Sequence, residues 1–194
     1  MSTFRLYLEL GFQHISDLNG YDHILFLVAL CAIYTVQDWK KLLVLVTAFT
    51  VGHSVTLALS TLDKVSIRTE LVEFLIPITI LFTCVFNYFQ RNSLQKSTPM
   101  HMRYASALFF GLIHGLGFST YLKSLLGKNQ NIVLELLAFN IGLELGQLII
   151  VFVTLLVAWL ATNLAKIKQY DWILLISGAV GGISLMMISE RWVF

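Results

Sequence analysis

The sequence predicts an all-α, polytopic transmembrane helix bundle, and three observations lead there. Of its 194 residues, 57% are hydrophobic and only 12% are charged, about half the charged share of a soluble domain. Apolar runs long enough to cross a bilayer recur along the whole chain, each near the ~20 residues that a span needs. Ionisable residues of metal-binding type, Asp22, His23, His53, His114 and Glu144, stand inside or at the mouth of those runs.

Residues 1–13, MSTFRLYLELGFQ, hold Glu9 within a short mixed stretch. They are too short and too polar for a span, and read as an N-terminal interfacial segment. They lack the basic start, apolar middle and small-residue cleavage site of a removable signal peptide. Ser16, Asp17 and Asn19 suggest a turn or cap, and Gly20 a bend.

Six spans follow, at about 21–36, 42–60, 71–90, 104–126, 132–161 and 171–189. Together they form one transmembrane domain. Pro77 falls inside the third and is expected to kink it. The fifth is long enough to tilt, or to break into a span and an extension. Among the connections only 91–103 is long enough to be a flexible loop. No internal repeat is strong enough in the sequence to support inverted symmetry. Cys31 and Cys84 lie far apart inside apolar runs and read as packing residues.

Six spans place both ends on one side. Lys40, Lys41, Arg91, Lys96, Arg103, Lys166 and Lys168 fall on the other side, against Arg5, Lys64, Arg68, Lys123, Lys128 and Arg191 on the terminus side. That small excess leans toward termini outside. The expected location is the bacterial inner (cytoplasmic) membrane. No basic block points to nucleic acid.

The chemistry lies in the ionisable residues. Asp22 and His23 open the first span, His53 lies in the second, His114 in the fourth and Glu144 in the fifth. A charge or imidazole in hydrocarbon costs several kcal/mol unless paired or ligated, so each is a functional-site candidate. These side chains are also ligands for divalent transition metals. By span direction, all five fall between the terminus-side surface and the midplane. His14 is placed to fold back onto them, whereas His101, in a polar loop beside Arg103, reads as solvated.

Asn140, Glu144 and Gln147 share one helical face. Gly142 and Gly146 permit close approach by a neighbouring helix, and Gly111, Gly115 and Gly117 crowd His114. Ser54, Asn140 and Gln147 are expected to support the ligands through hydrogen bonds. Interhelical hydrogen-bond glue is the plain alternative for Asn140, Gln147 and Glu144.

Four ordered strings carry a family resemblance. They are His14…Gly20-Tyr-Asp22-His23-Ile-Leu-Phe26, Phe49-Thr-Val-Gly-His53-Ser54-Val-Thr56, Phe110-Gly-Leu-Ile-His114-Gly-Leu-Gly-Phe118 and Phe139-Asn140-x-Gly-x-Glu144-x-Gly-Gln147. The chain resembles the HupE/UreJ family of hydrogenase and urease accessory membrane proteins, over nearly its whole length. That resemblance implies nickel or cobalt uptake, with Asp22, His23, His53, His114 and Glu144 on a metal path. His14 stands two residues further from Asp22 than in the usual family signature, and no proline follows it.

Two functions remain open from the residues. One is a permease for a divalent transition metal (nickel, cobalt or zinc), with no ATP-binding motif to drive it and only Thr47, Thr79 and Thr154 to suggest an exit. The other is an intramembrane zinc-dependent hydrolase with Glu144 as general base. A metal sensor or an assembly partner for another membrane protein is a third. The bilayer and a metal ion are the expected partners, and a homo-oligomer is compatible with the sequence.

Overall fold

The computed structural model describes residues 2–90, 99–126 and 132–192, and all regular structure among them is helical. The order is α1 (Thr3–Ser16), α2 (Asp22–Cys31), α3 (Trp39–Thr61), α4 (Thr69–Gln90), α5 (Met100–Leu126), α6 (Val133–Trp159) and α7 (Gln169–Glu190). A 3-10 turn, Val36–Asp38, leads into α3, and a π-helical turn, Leu160–Leu164, extends α6. The turn before α3 is a capping box. Asp38 accepts from the backbone N–H of Thr35 at 3.2 Å and from its hydroxyl at 3.0 Å, which satisfies donors at the helix start.

Five helical stretches are long and apolar enough to cross a membrane: Val36–Thr61, Thr69–Gln90, Met100–Leu125, Val133–Leu164 and Gln169–Glu190. They correspond to the second through sixth expected spans. Pro77 is buried within α4. Large side chains such as Phe152, Leu175 and Phe82 point away from the bundle, where hydrocarbon is the favourable surrounding. Of the expected flexible loop 91–103, residues 91–98 lie outside the described residues, and Met100–Arg103 already belong to α5.

The first expected span, 21–36, differs. Only Asp22–Cys31 is α-helical there. Ten residues rise ~15 Å, half of the ~30 Å hydrocarbon core. The N-terminal segment differs too. The backbone of α1 lies against that of α6, with Gly11 against Phe139, Phe12 against Gly142 and Ile15 against Gly146. Contact numbers rise together on both helices, so the two run parallel. Gly11 is the physical reason: with no side chain, it lets α1 dock backbone to backbone.

The same holds for α3 and α5, where Phe49 meets Gly111 and His53 meets Gly115. α3 and α6 run antiparallel: His53, late on α3, stacks at 6.4 Å on Phe139 near the start of α6, while Val36 and Gln37 before α3 share a cleft with Ala158 and Trp159 at the end of α6. Where they cross, Thr47 bonds Glu144 and Thr50 bonds Gln147. α7 returns beside α4, and Arg191 donates to the Glu73 carbonyl at 3.2 Å. The start of α1 and the end of α7 therefore share one end of the bundle, called here the terminus end. Reporter tags at residues 1 and 194 are expected in the same compartment. Tags read in opposite compartments would contradict this arrangement.

Candidate metal centre

Asp22 is the first residue of α2, and its carboxylate turns back on its own helix. Asp22 Oδ1 accepts from the backbone N–H of His23 at 2.8 Å and lies 2.8 Å from His23 Nδ1. An imidazole whose Nδ1–H is held by a carboxylate presents an unprotonated Nε2, the usual way a metal-binding His is oriented. His23 Nε2 is buried and has no hydrogen-bond partner.

Two more imidazoles meet it there. His14 comes from the last turn of α1 and His53 from α3. Ring centroids of His14 lie 4.7 Å from His23 and 5.8 Å from His53. One nitrogen from each of His14, His23 and His53 falls within 4.8 Å of the others. His53 is fully buried, and neither of its nitrogens has a partner; His14 Nε2 has none either.

Unpaired buried polar atoms cost free energy, and a native structure holds few of them. Several bare imidazole nitrogens facing one point are what a metal would satisfy. Three nitrogen donors leave coordination positions free, which suits nickel, cobalt or zinc.

The centre lies among aromatic rings. His14 lies 4.0 Å from Phe118, which stacks at 5.1 Å on Phe139. Phe26 and Phe49 stack at 4.9 Å beside His23 and His114. These rings line the centre, and a cleft that His14, His23 and His114 also line leads out of it.

The four strings that carry the resemblance therefore converge in space, from α1 with α2, α3, α5 and α6. The family profile described as HupE / UreJ protein matches residues 1–194, the whole chain. The chain belongs to the HupE/UreJ family. Neither a curated protein nor a solved structure matches it.

The remaining expected site residues of this HupE/UreJ protein take separate positions. His114 is buried beside His23, with centroids 5.1 Å apart, but outside the three-nitrogen group. Its Nε2 is 3.0 Å from the Thr79 hydroxyl, which itself donates to the Ile76 carbonyl at 2.7 Å. A hydroxyl with its one hydrogen so used accepts from His114 Nε2–H, which leaves Nδ1 bare. That nitrogen is buried and unpartnered.

Asp22 is a holder of His23, with its second oxygen 3.8 Å from Arg191. Glu144 lies outside the group and accepts from the Thr47 hydroxyl at 2.7 Å. Gln147 is paired with Thr50 at 2.8 Å, one helical turn from His53. Asn140 has a buried oxygen without a partner. Ser54 donates to the Thr50 carbonyl at 2.6 Å, so its bond goes to the backbone of α3. His101 is exposed in the first turn of α5. Cys31 and Cys84 are free and buried on α2 and α4.

Two contacts escaped the sequence reading. Thr79 fixes the tautomer of His114, and Arg191 faces Asp22. For Arg191 a signal existed: a lone arginine closing the last span on the side where Asp22 opens the first.

Proposed function

We propose that the protein carries a divalent transition metal, of the nickel and cobalt type, across the membrane through the centre of His14, His23 and His53. The observation that supports this most is the three nitrogens within 4.8 Å, drawn from three helices and buried among phenylalanines. His114 stands next to the centre as a fourth nitrogen donor. Asp22 sets the orientation of His23 and supplies negative charge at the mouth.

The mouth is a cleft of about 200 Å³ at the terminus end, lined by Asp17, Gly20, Asp22 and Glu73 among others. Three carboxylates there attract a cation. Arg191 stands beside Asp22 and limits that field. Next to the centre, the buried pair Thr50–Gln147 and the more exposed pair Thr47–Glu144 join α3 to α6. Oxygen ligands of this kind bind a borderline metal more weakly than imidazoles and so allow release.

α1 and α2 together make a sixth, broken crossing, with its interruption at Asp17–Tyr21 next to the centre. Broken helices at a substrate site are a recurring feature of secondary transporters. The bundle sits in the inner membrane with both ends outside.

The hydrolase alternative requires a carboxylate at the metal to activate water. Glu144 is engaged with Thr47 and is not one of the three grouped residues, which favours transport.

The deciding experiment is metal analysis of purified protein together with Ni²⁺ flux into liposomes. Bound nickel or cobalt with flux is the expected result. Bound zinc without flux would overturn transport. Glu144→Gln is expected to keep Ni²⁺ at the centre and to slow flux, because Glu144 lies outside the three-nitrogen group. A Glu144→Gln protein that no longer binds Ni²⁺ would place this carboxylate at the metal itself. His101→Ala is expected to alter neither binding nor flux.

A further inference from the structure

We propose that the chain is an inverted-topology repeat, α1-α3-α4 followed by α5-α6-α7, and that its cargo passes when the helix pair α1–α6 rocks against the pair α3–α5. The cargo rests on the transport reading above; the repeat rests on backbone geometry and on the sequences at the crossings.

A Cβ on Gly11 would meet the Phe139 carbonyl oxygen at 2.0 Å and the Leu143 nitrogen at 3.0 Å, and one on Gly142 would meet those of Leu8 and Phe12 at 1.9 and 3.0 Å. A Cβ on Gly52 would meet Leu108 oxygen at 2.2 Å and Leu112 nitrogen at 3.0 Å, and one on Gly111 those of Phe49 and His53 at 2.1 and 3.0 Å. In all four cases the atoms are the carbonyl three residues before the facing glycine and the amide one residue after it. One crossing is built twice.

The sequences around the crossings agree. Leu8-x-x-Gly11-x-x-His14 on α1 matches Leu108-x-x-Gly111-x-x-His114 on α5. Phe49-x-x-Gly52 on α3 matches Phe139-x-x-Gly142 on α6. So α1 corresponds to α5 and α3 to α6, and each partner is exchanged between the halves. Because α3 and α6 run antiparallel, the two pairs point in opposite directions across the membrane. The remaining helices, α4 and α7, pack on each other antiparallel, with Phe74 against Trp192 and Asn87 bonded to Ser177 at 3.3 Å. An axis lying in the membrane plane exchanges two such helices, as inverted repeats require. α2 has no counterpart. It carries Asp22 and His23, and it sets His23 between the equivalent residues His14 and His114, at 4.7 and 5.1 Å.

The geometry also says what moves. Within each pair the crossing is backbone on backbone, so the pair shifts as one body. Between the pairs the α3–α6 seam includes side-chain hydrogen bonds, Thr47–Glu144 and Thr50–Gln147, which separate without breaking a helix. The centre is reached here through the cleft at the terminus end, while buried Thr50 and Gln147 seal the seam beyond it. Exchanging the roles of the halves closes the cleft and opens that seam, and the population of the two arrangements follows the cargo's differential affinity.

The test uses the full chain in liposomes, with Cys31→Ala and Cys84→Ala as background and Gly20→Cys and Thr50→Cys as reporters, alone and together. Gly20 has room, since an added Cβ meets only an Asp17 oxygen at 3.7 Å. A charged thiol reagent is added on both sides and the products are weighed by mass spectrometry. Without metal, each single variant is expected to react. Molecules labelled at both positions of the double variant are expected at least ~10-fold below the product of the single yields, because an adduct in the cleft keeps the seam shut. Saturating Ni²⁺ is expected to shift the two single rates in opposite directions.

Independent labelling of both positions, a Thr50→Cys thiol that never reacts, or rates that move together would overturn the rocking. If Thr50→Cys does not fold, Gln147→Cys takes its place. Exclusive labelling with no Ni²⁺ response and no Ni²⁺ binding would keep the rocking and refute the metal cargo. Ni²⁺ binding with independent labelling would do the reverse.

Discussion

His53→Ala is expected to abolish tight Ni²⁺ binding. His53 is fully buried on α3, and both its nitrogens are bare. Its removal breaks the three-nitrogen group and leaves His14 and His23, with His114 beside them. The depleted set offsets much less of the cost of stripping water from a divalent ion.

Asp22→Asn provides the scale. It removes the carboxylate that holds His23 Nδ1 but leaves three imidazoles, and loss of such an orienting partner costs ~10–100-fold in affinity. Calorimetric titration of the two variants is expected to rank them with His53→Ala well below Asp22→Asn. Equal, small losses in both would mean that the cation binds elsewhere. His53→Ala should also leave the fold intact, because an imidazole with no hydrogen bonds contributes only packing.

A large loss of stability is expected from Gly111→Ala. A methyl at that position falls 2.1 Å from the Phe49 carbonyl oxygen and 2.9 Å from its carbon. Both are backbone atoms, so no rotamer change relieves the clash and α3 must move off α5. The cost lies at the upper end of the ~1–3 kcal/mol typical of overpacking, or above it.

The movement also shifts His53, whose own amide nitrogen lies 3.0 Å from the new methyl. Gly111→Ala should therefore lower both thermal stability in detergent and Ni²⁺ affinity. Gly182→Ala is the control. Beyond its own stretch of helix backbone, no heavy atom lies within 4 Å of a Cβ there, and alanine favours helix by up to ~1 kcal/mol. Its melting temperature should hold or rise. Matching losses in both variants would show that glycine crossings do not hold this bundle together.

Hydropathy and the few buried ionisable residues made the class and the residues of the candidate centre legible in the sequence. Five of six expected spans correspond to long apolar helices, because a span is a local property: ~20 apolar residues in a row satisfy it wherever they sit. His23 and His53 were legible for the same reason, since an imidazole in hydrocarbon stands out against its neighbours.

The start of the chain was not legible. Residues 1–20 look interfacial by composition, and His14 was expected to fold back, but not the means: Gly11 docks α1 onto α6 and sets His14 beside His23 and His53. That depends on a facing glycine, Gly142, far along the chain. Likewise the pairing of Glu144 with Thr47 and of Thr79 with His114 depends on which helices meet.

The repeat was hidden for a related reason. Only a leucine, a phenylalanine, the glycines and the histidines recur, and those few positions have meaning only once the helices cross. The sequence by itself determined which groups must be buried, through the cost of leaving water. The tertiary structure decided which of them face one another, because that choice is made by backbone approach between helices distant in the chain.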